Sequence, residues 1–144
     1  MLLPITLTLA AACALINLWL AMRCVRIRMI DKAALHGDGG NALLARRMRA
    51  HANFIEYTPM VLILCALIEM ALGASLWLWV GALAYVVARI CHGLGMDAEG
   101  SSNLRAVGAV LTWVIMAALA GAALYAAYQG TRAVPAPPTM AAAV

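Results

Sequence analysis

The chain has 144 residues, of which 66% are apolar and only 11% charged. Soluble globular proteins carry roughly 25% charged residues, so composition excludes a soluble domain, and the length allows one domain at most. The formal charge of +4 is gathered beside apolar blocks, the mark of membrane topology rather than of nucleic-acid binding.

Leu2–Met22 carries no charge and is followed, not preceded, by Arg23, Arg26 and Arg28. A cleaved signal has its positive charge before the apolar run, so this segment is expected to stay as a first helix over about 2–28. The loop after it holds Lys32 and the turn-forming run His36, Gly37, Asp38, Gly39, Gly40, Asn41. One histidine and one aspartate in a turn make a poor metal set, so the run reads as a solvated loop and no metal is expected. Arg46, Arg47 and Arg49 then bring the basic residues between the first two apolar blocks to seven of the ten in the chain.

A second helix over about 46–72 contains Glu56, Glu69 and Pro59. Proline removes the hydrogen bond to the Ile55 carbonyl and can open space beside Glu56. Glu69 falls about one turn from the following loop, where hydration is the expected explanation for its charge. Gly73–Ser75 is a tight turn without basic residues. The third apolar block, Leu76–Ala88, reaches about 20 residues, the length of a span, only if it continues through Arg89 and His92 to Met96. A loop, Asp97–Asn103, and a fourth helix over about 104–128 complete the bundle. The prolines of Val134–Pro138 and residues 131–144 read as a disordered tail. The fold expected is therefore an all-α membrane protein, a four-helix bundle occupying residues 1–130.

The positive-inside rule places the basic loop in the cytoplasm and both termini outside, which in a bacterium means the inner membrane. Trp77, Trp79, Tyr125 and Tyr128 fit an outer aromatic belt and Trp19 an inner one. Cys13, Cys24, Cys65 and Cys91 lack metal-like spacing and read as packing residues.

Two polar stripes stand out. Arg49, Asn53 and Glu56 recur at steps of four and three, as do Tyr85, Arg89, His92 and Met96 at four, three and four. Each set shares one helical face. Buried arginine and glutamate are costly unless they pair or meet a polar ligand, so the stripes are either an ion pair joining helices or a binding site. With Arg26, Arg28 and Arg105 at the same end, the set suits a zwitterionic ligand bearing several carboxylates.

The run Arg49-x-x-x-Asn53-x-x-Glu56-Tyr57-x-Pro59 resembles the helix-2 signature of the membrane-associated proteins in eicosanoid and glutathione metabolism, the MAPEG family. Arg89-x-x-His92 and Arg105 resemble the prostaglandin E synthase arrangement, and the likeness covers about residues 1–130. The resemblance implies a homotrimer with glutathione held between adjacent subunits near the cytoplasmic face. It implies that Arg49, Asn53, Glu56, Tyr57, Arg89 and His92 bind glutathione, that Arg26 reaches a carboxylate, and that Arg105 favours the thiolate. Met96 stands where the family often has a tyrosine, Ala106 where prostaglandin E synthases have a serine, and Ala52 where some relatives have an arginine. These departures favour a general glutathione transferase or peroxidase acting on lipophilic electrophiles. The alternatives are a catalytically silent thiol- or lipid-binding relative and a small cation exporter. The exporter is disfavoured by a first helix without glutamate and by the arginine cluster.

Overall fold

The computed structural model describes residues 2–31 and 37–132. Its elements are α1 Pro4–Asp31, α2 Ala42–Leu72, α3 Leu76–Gly95 and α4 Asn103–Arg132. All four are long and apolar enough to cross a membrane, so the chain is an all-α four-helix membrane protein. The third helix does run on through Arg89 and His92; its 20 residues reach about 30 Å, the thickness of the hydrocarbon layer. The second helix starts four residues before the expected Arg46, because Asn41 caps it. The Asn41 Oδ1 accepts from the Leu44 amide at 2.9 Å, which satisfies one of the free donors of the first turn. Of the expected solvated loop, Asp38 accepts from the Gly40 amide at 3.0 Å, while His36 and Lys32 lie outside the described residues, as does the tail at Val134–Pro138.

The helices alternate in direction, so α1 and α3 run together from a turn end, marked by Gly73–Ser75, to a basic end. At the turn, Gly73 adopts φ 79° and its amide donates to the Glu69 carbonyl. That left-handed backbone suits glycine. Helices α1 and α4 each pack on both α2 and α3, and no packing between α1 and α4 is present among the described residues. The core stripe of α1 is Ile5, Leu9, Cys13, Ile16 and Leu20, met by Phe54, Val61, Cys65 and Ile68 of α2. Outward faces carry leucines such as Leu15, Leu67 and Leu83. Lipid is as apolar as these side chains, so burial alone does not hold the bundle; close backbone approach and internal polar links do.

Close approach is greatest between α3 and α4. A Cβ at Gly108 would fall 2.6 Å from both the Ala88 carbonyl oxygen and the His92 amide nitrogen, and one at Gly95 would collide with the Arg105 backbone. Neither helix tolerates a methyl group at that crossing.

The turn end corrects one expectation. Glu69 is not hydrated at the interface but buried, with 2% of its surface exposed. Its carboxylate accepts from the Ile5 amide at 2.9 Å and from the Thr6 amide and hydroxyl at 2.8 Å each. Pro4, which lacks an amide hydrogen, opens α1, and Glu69 supplies the acceptors that its next amides need. A carboxylate at the positive end of the helix dipole is also favourable. Pro59 leaves α2 continuous. The space beside it is a cavity of about 340 Å³ between α1 and α2, lined by Ala10, Ala14, Ile55 and Thr58 and not by Glu56.

Candidate functional site

The helix-3 stripe is wholly interior: Tyr85, Arg89, His92 and Met96 are 0%, 1%, 6% and 9% exposed. Arg89 reaches across to α2, where its Nη2 donates to Asn53 Oδ1 at 2.9 Å, and to α4, where Nη1 meets Thr112 Oγ1 at 3.4 Å. Its guanidinium also lies 5.6 Å from the centre of the Phe54 ring. The Tyr85 hydroxyl bonds Thr58 Oγ1 at 2.9 Å, and that hydroxyl in turn donates to the Phe54 carbonyl. No carboxylate pairs with Arg89 among the described residues, and Arg89 Nε and His92 Nδ1 have no hydrogen-bond partner there. Unpaired donors in an apolar interior are costly. The interior is therefore short of acceptors.

The helix-2 stripe divides. A helix advances 100° per residue, so Arg49 and Glu56 nearly eclipse while Asn53 is turned to one side. Arg49 and Glu56 point away from the bundle and pair at 3.3 Å, their side chains 65% and 49% exposed. Asn53 turns inward to Arg89. Tyr57, on the outer flank, accepts a hydrogen bond from Trp113 Nε1 of α4 at 3.2 Å. One motif thus supplies an outward ion pair and an inward acceptor.

The basic end is organised by Asp97, in the loop after α3. Its carboxylate accepts from Arg47 Nε at 3.0 Å and Nη2 at 3.1 Å and forms an ion pair with Arg23. Arg23 also donates to the Gly93 carbonyl at 2.9 Å and stacks 4.7 Å from the Trp19 ring centre. Trp19, expected in the inner aromatic belt, also covers that arginine. Burial disfavours the ionised Asp97 carboxyl, but the Arg47 hydrogen bonds and the charges of Arg23 and Arg47 outweigh it and hold it below the usual carboxylate range. Arg105 is exposed at the start of α4, a poor place for a cation and a good one for an anion.

The expected residues accordingly occupy four places in one subunit. Arg89, His92 and Asn53 meet in the interior, Arg49 and Glu56 with Tyr57 lie on the outer face of α2, and Arg105 stands at the start of α4. Arg26 lines a separate groove with Trp19, Met22 and Leu94. Thr112, Trp113 and Thr58 were not foreseen. Thr112 falls seven residues after Arg105, two turns along α4, and that spacing was the available signal for it.

A four-helix membrane protein with arginines inside and at one end defines the class. Residues 6–125 match the sequence model of the MAPEG family, and the chain belongs to that family. It is 32% identical over 87 residues to Inner membrane protein YecN of Escherichia coli (strain K12), and equally so to YecN of Escherichia coli O6:H1 (strain CFT073). Each match covers 60% of this chain and 65% of the relative's length.

Proposed function

We propose that the chain is a membrane-bound glutathione-dependent transferase or peroxidase for lipophilic electrophiles, working as a homotrimer. The observation that carries this is the Arg49–Glu56 pair on the outer face of α2. Glu56 lies about 21 Å along that helix from Ala42, near its middle. A lone subunit would press Glu56, with Arg49 just beyond it, against the hydrocarbon layer. A neighbouring subunit with glutathione between the two covers them.

Glutathione fits the donor set. Its ammonium suits Glu56, its two carboxylates suit arginines, and binding exchanges the Arg49–Glu56 pair for one partner each. Asn53, Tyr57 and His92 supply further polar contacts, and Arg89 offers a buried cation without an acid. Arg26 is left out of this set because it faces the α1–α3 groove. Arg105, at the positive end of α4, favours thiolate over thiol. The thiolate sulfur forms a bond to an electrophilic carbon, and the displaced electron pair leaves with the departing group or is protonated on the acceptor. With a hydroperoxide, the sulfur takes the terminal oxygen as sulfenic acid and releases an alcohol. A second glutathione then gives the disulfide and water. The basic end faces the cytoplasm and both termini face outward, as the arginine asymmetry favours.

Met96 supports a second reading. It closes the Tyr85–Arg89–His92 stripe with a buried thioether where a hydroxyl would donate to sulfur, which suits a protein that binds thiol without turning it over. Calorimetric titration of glutathione, beside turnover of chlorodinitrobenzene and cumene hydroperoxide, tests both. Binding with turnover supports the enzyme, binding alone supports the silent reading, and no binding overturns both. Reporter fusions at Val144 and Gly39 test the orientation; a cytoplasmic signal from Val144 would reverse it.

A further inference from the structure

Helices α1 and α3 run side by side in the same direction, and cavities recur along the seam between them. On α1 its wall is Thr8, Ala12, Leu15, Trp19, Met22 and Arg26, a stripe at steps of four and three. Three cavities follow one another along it. The one nearest the turn end has about 480 Å³ and is walled on α3 by Leu76, Val80 and Leu83. A middle one of about 230 Å³ lies at Leu15, Ile16, Trp19 and Ile90. The last, of about 270 Å³, lies at the basic end among Trp19, Arg23, Arg26, Arg47 and Asp97. Trp19 borders both the middle and the last, so the apolar part of the groove and its arginines meet at that side chain.

We infer that this groove holds one anionic phospholipid, its phosphate against Arg26 and Arg23 and one acyl chain laid along Trp19, Ile90 and Leu15 toward Ala12. The dimensions agree. From Met22 back to Ala12 is about 15 Å of helix, half the hydrocarbon thickness and so one leaflet. The charge agrees as well. Three arginines against the single carboxylate of Asp97 leave two positive charges over at the headgroup end. Asp97 is already held by Arg23 and Arg47, whereas Arg26 has no hydrogen-bond or ion-pair partner among the described residues. Basic pockets between membrane helices at an interface are suited to anionic headgroups.

The described carboxylates argue against a second copy of the chain as occupant. Glu56 pairs with Arg49, Glu99 with Arg46, Glu69 caps α1, and Asp38 folds onto Gly40. Each already has a partner within its own subunit, so a neighbouring copy brings Arg26 no unengaged carboxylate. A phosphate diester with an apolar tail supplies both halves of what the groove lacks.

The test needs no glutathione, so its outcome is independent of the proposed activity. Purified protein is reconstituted in vesicles of equal phosphatidylglycerol and phosphatidylcholine with matched chains and re-extracted in mild detergent. Lipid retained per protein is then measured by mass spectrometry. Wild type should retain phosphatidylglycerol preferentially, and Arg26→Ala should narrow that preference about fivefold, the effect of one interfacial arginine. Leu83→Trp, at a side chain 66% exposed on the groove wall, should lower retention of both lipids by filling the groove. Equal retention of the two lipids by wild type, a measurement that needs no variant, overturns the inference. So does an unchanged preference in Arg26→Ala. If Leu83→Trp instead breaks the oligomer on a sizing column, the groove seats a second copy and the lipid reading fails.

Discussion

Glu56 and Glu69 lie thirteen residues apart on the same helix, and the bundle treats them in opposite ways. Glu69 is sealed at the turn end, its carboxylate filled by two amides and a hydroxyl of α1. Glu56 faces outward, about half exposed, with one arginine of its own helix as partner. The first acid has spent its acceptor capacity within the subunit. The second can exchange partners, and a site that must take and release a ligand needs that freedom. Polar character in a membrane helix therefore does not by itself distinguish structure from function; completeness of partnering does.

Removing Glu69 should have the largest effect. Glu69→Ala strips three donors of α1 of their acceptor, and the expected loss is about 3–5 kcal/mol of stability. Thermal unfolding in detergent should show it as a strongly lowered Tm. A variant as stable as wild type would show that the α1 amides find other partners, and the contrast between the two acids would collapse. Glu56→Gln should leave Tm nearly unchanged and instead weaken glutathione binding by about one to two orders of magnitude, the worth of one charge-assisted bond. Calorimetry beside a size measurement checks this. A broken oligomer with unaltered affinity in the surviving protein would move Glu56 to the structural side.

These two residues also show where the sequence was legible. Four spans, their order and the inward helix-3 stripe follow from hydropathy and helical period, because both act locally along one helix. From the sequence Glu69 reads as hydrated because its partners, Ile5 and Thr6, are more than sixty residues away, and no local period reports an amide at the far end of another helix. The common face of Arg49, Asn53 and Glu56 was read as one unit. The actual division depends on which flank of α2 meets α3, which tertiary packing decides. Arg26 shares an end with Arg49 in the sequence, yet the two line different grooves because α1 presents it toward α3.

Arg105→Ala sharpens the comparison at the open side. If Arg105 faces the sulfur as proposed, losing it should raise the thiol pKa by about one unit, equivalent to about 1.4 kcal/mol. Turnover near neutral pH should fall about tenfold while glutathione affinity changes much less. Thiolate absorbance against pH provides the check, and an unshifted titration would assign activation to another group.

The smallest effect belongs to Asp97, which is engaged like Glu69 but stands at the basic end, its side chain 35% exposed. Its carboxyl is held below the ordinary range by Arg47 and Arg23. Its folded value is thus lower than its unfolded value of about 3.9. The stabilisation is complete above that unfolded value and is lost as pH falls through it toward the folded one. Screening keeps the contribution under about 1 kcal/mol. Tm should therefore be insensitive to this group from pH 5 to 8 and decline more below about pH 4 than it does in Asp97→Asn. Parallel pH profiles for the two proteins would remove Asp97 from the acid response.

Gly95 and Gly108 bear on how the proposed lipophilic substrate would enter. With backbone against backbone at that crossing, α3 and α4 form a wall that can neither part nor slide without opening a void along its whole contact. Lateral entry from the membrane would then fall to the other sides of the bundle, where cavities interrupt the packing of α1. Two missing methyl groups thus fix which seam of the bundle is sealed.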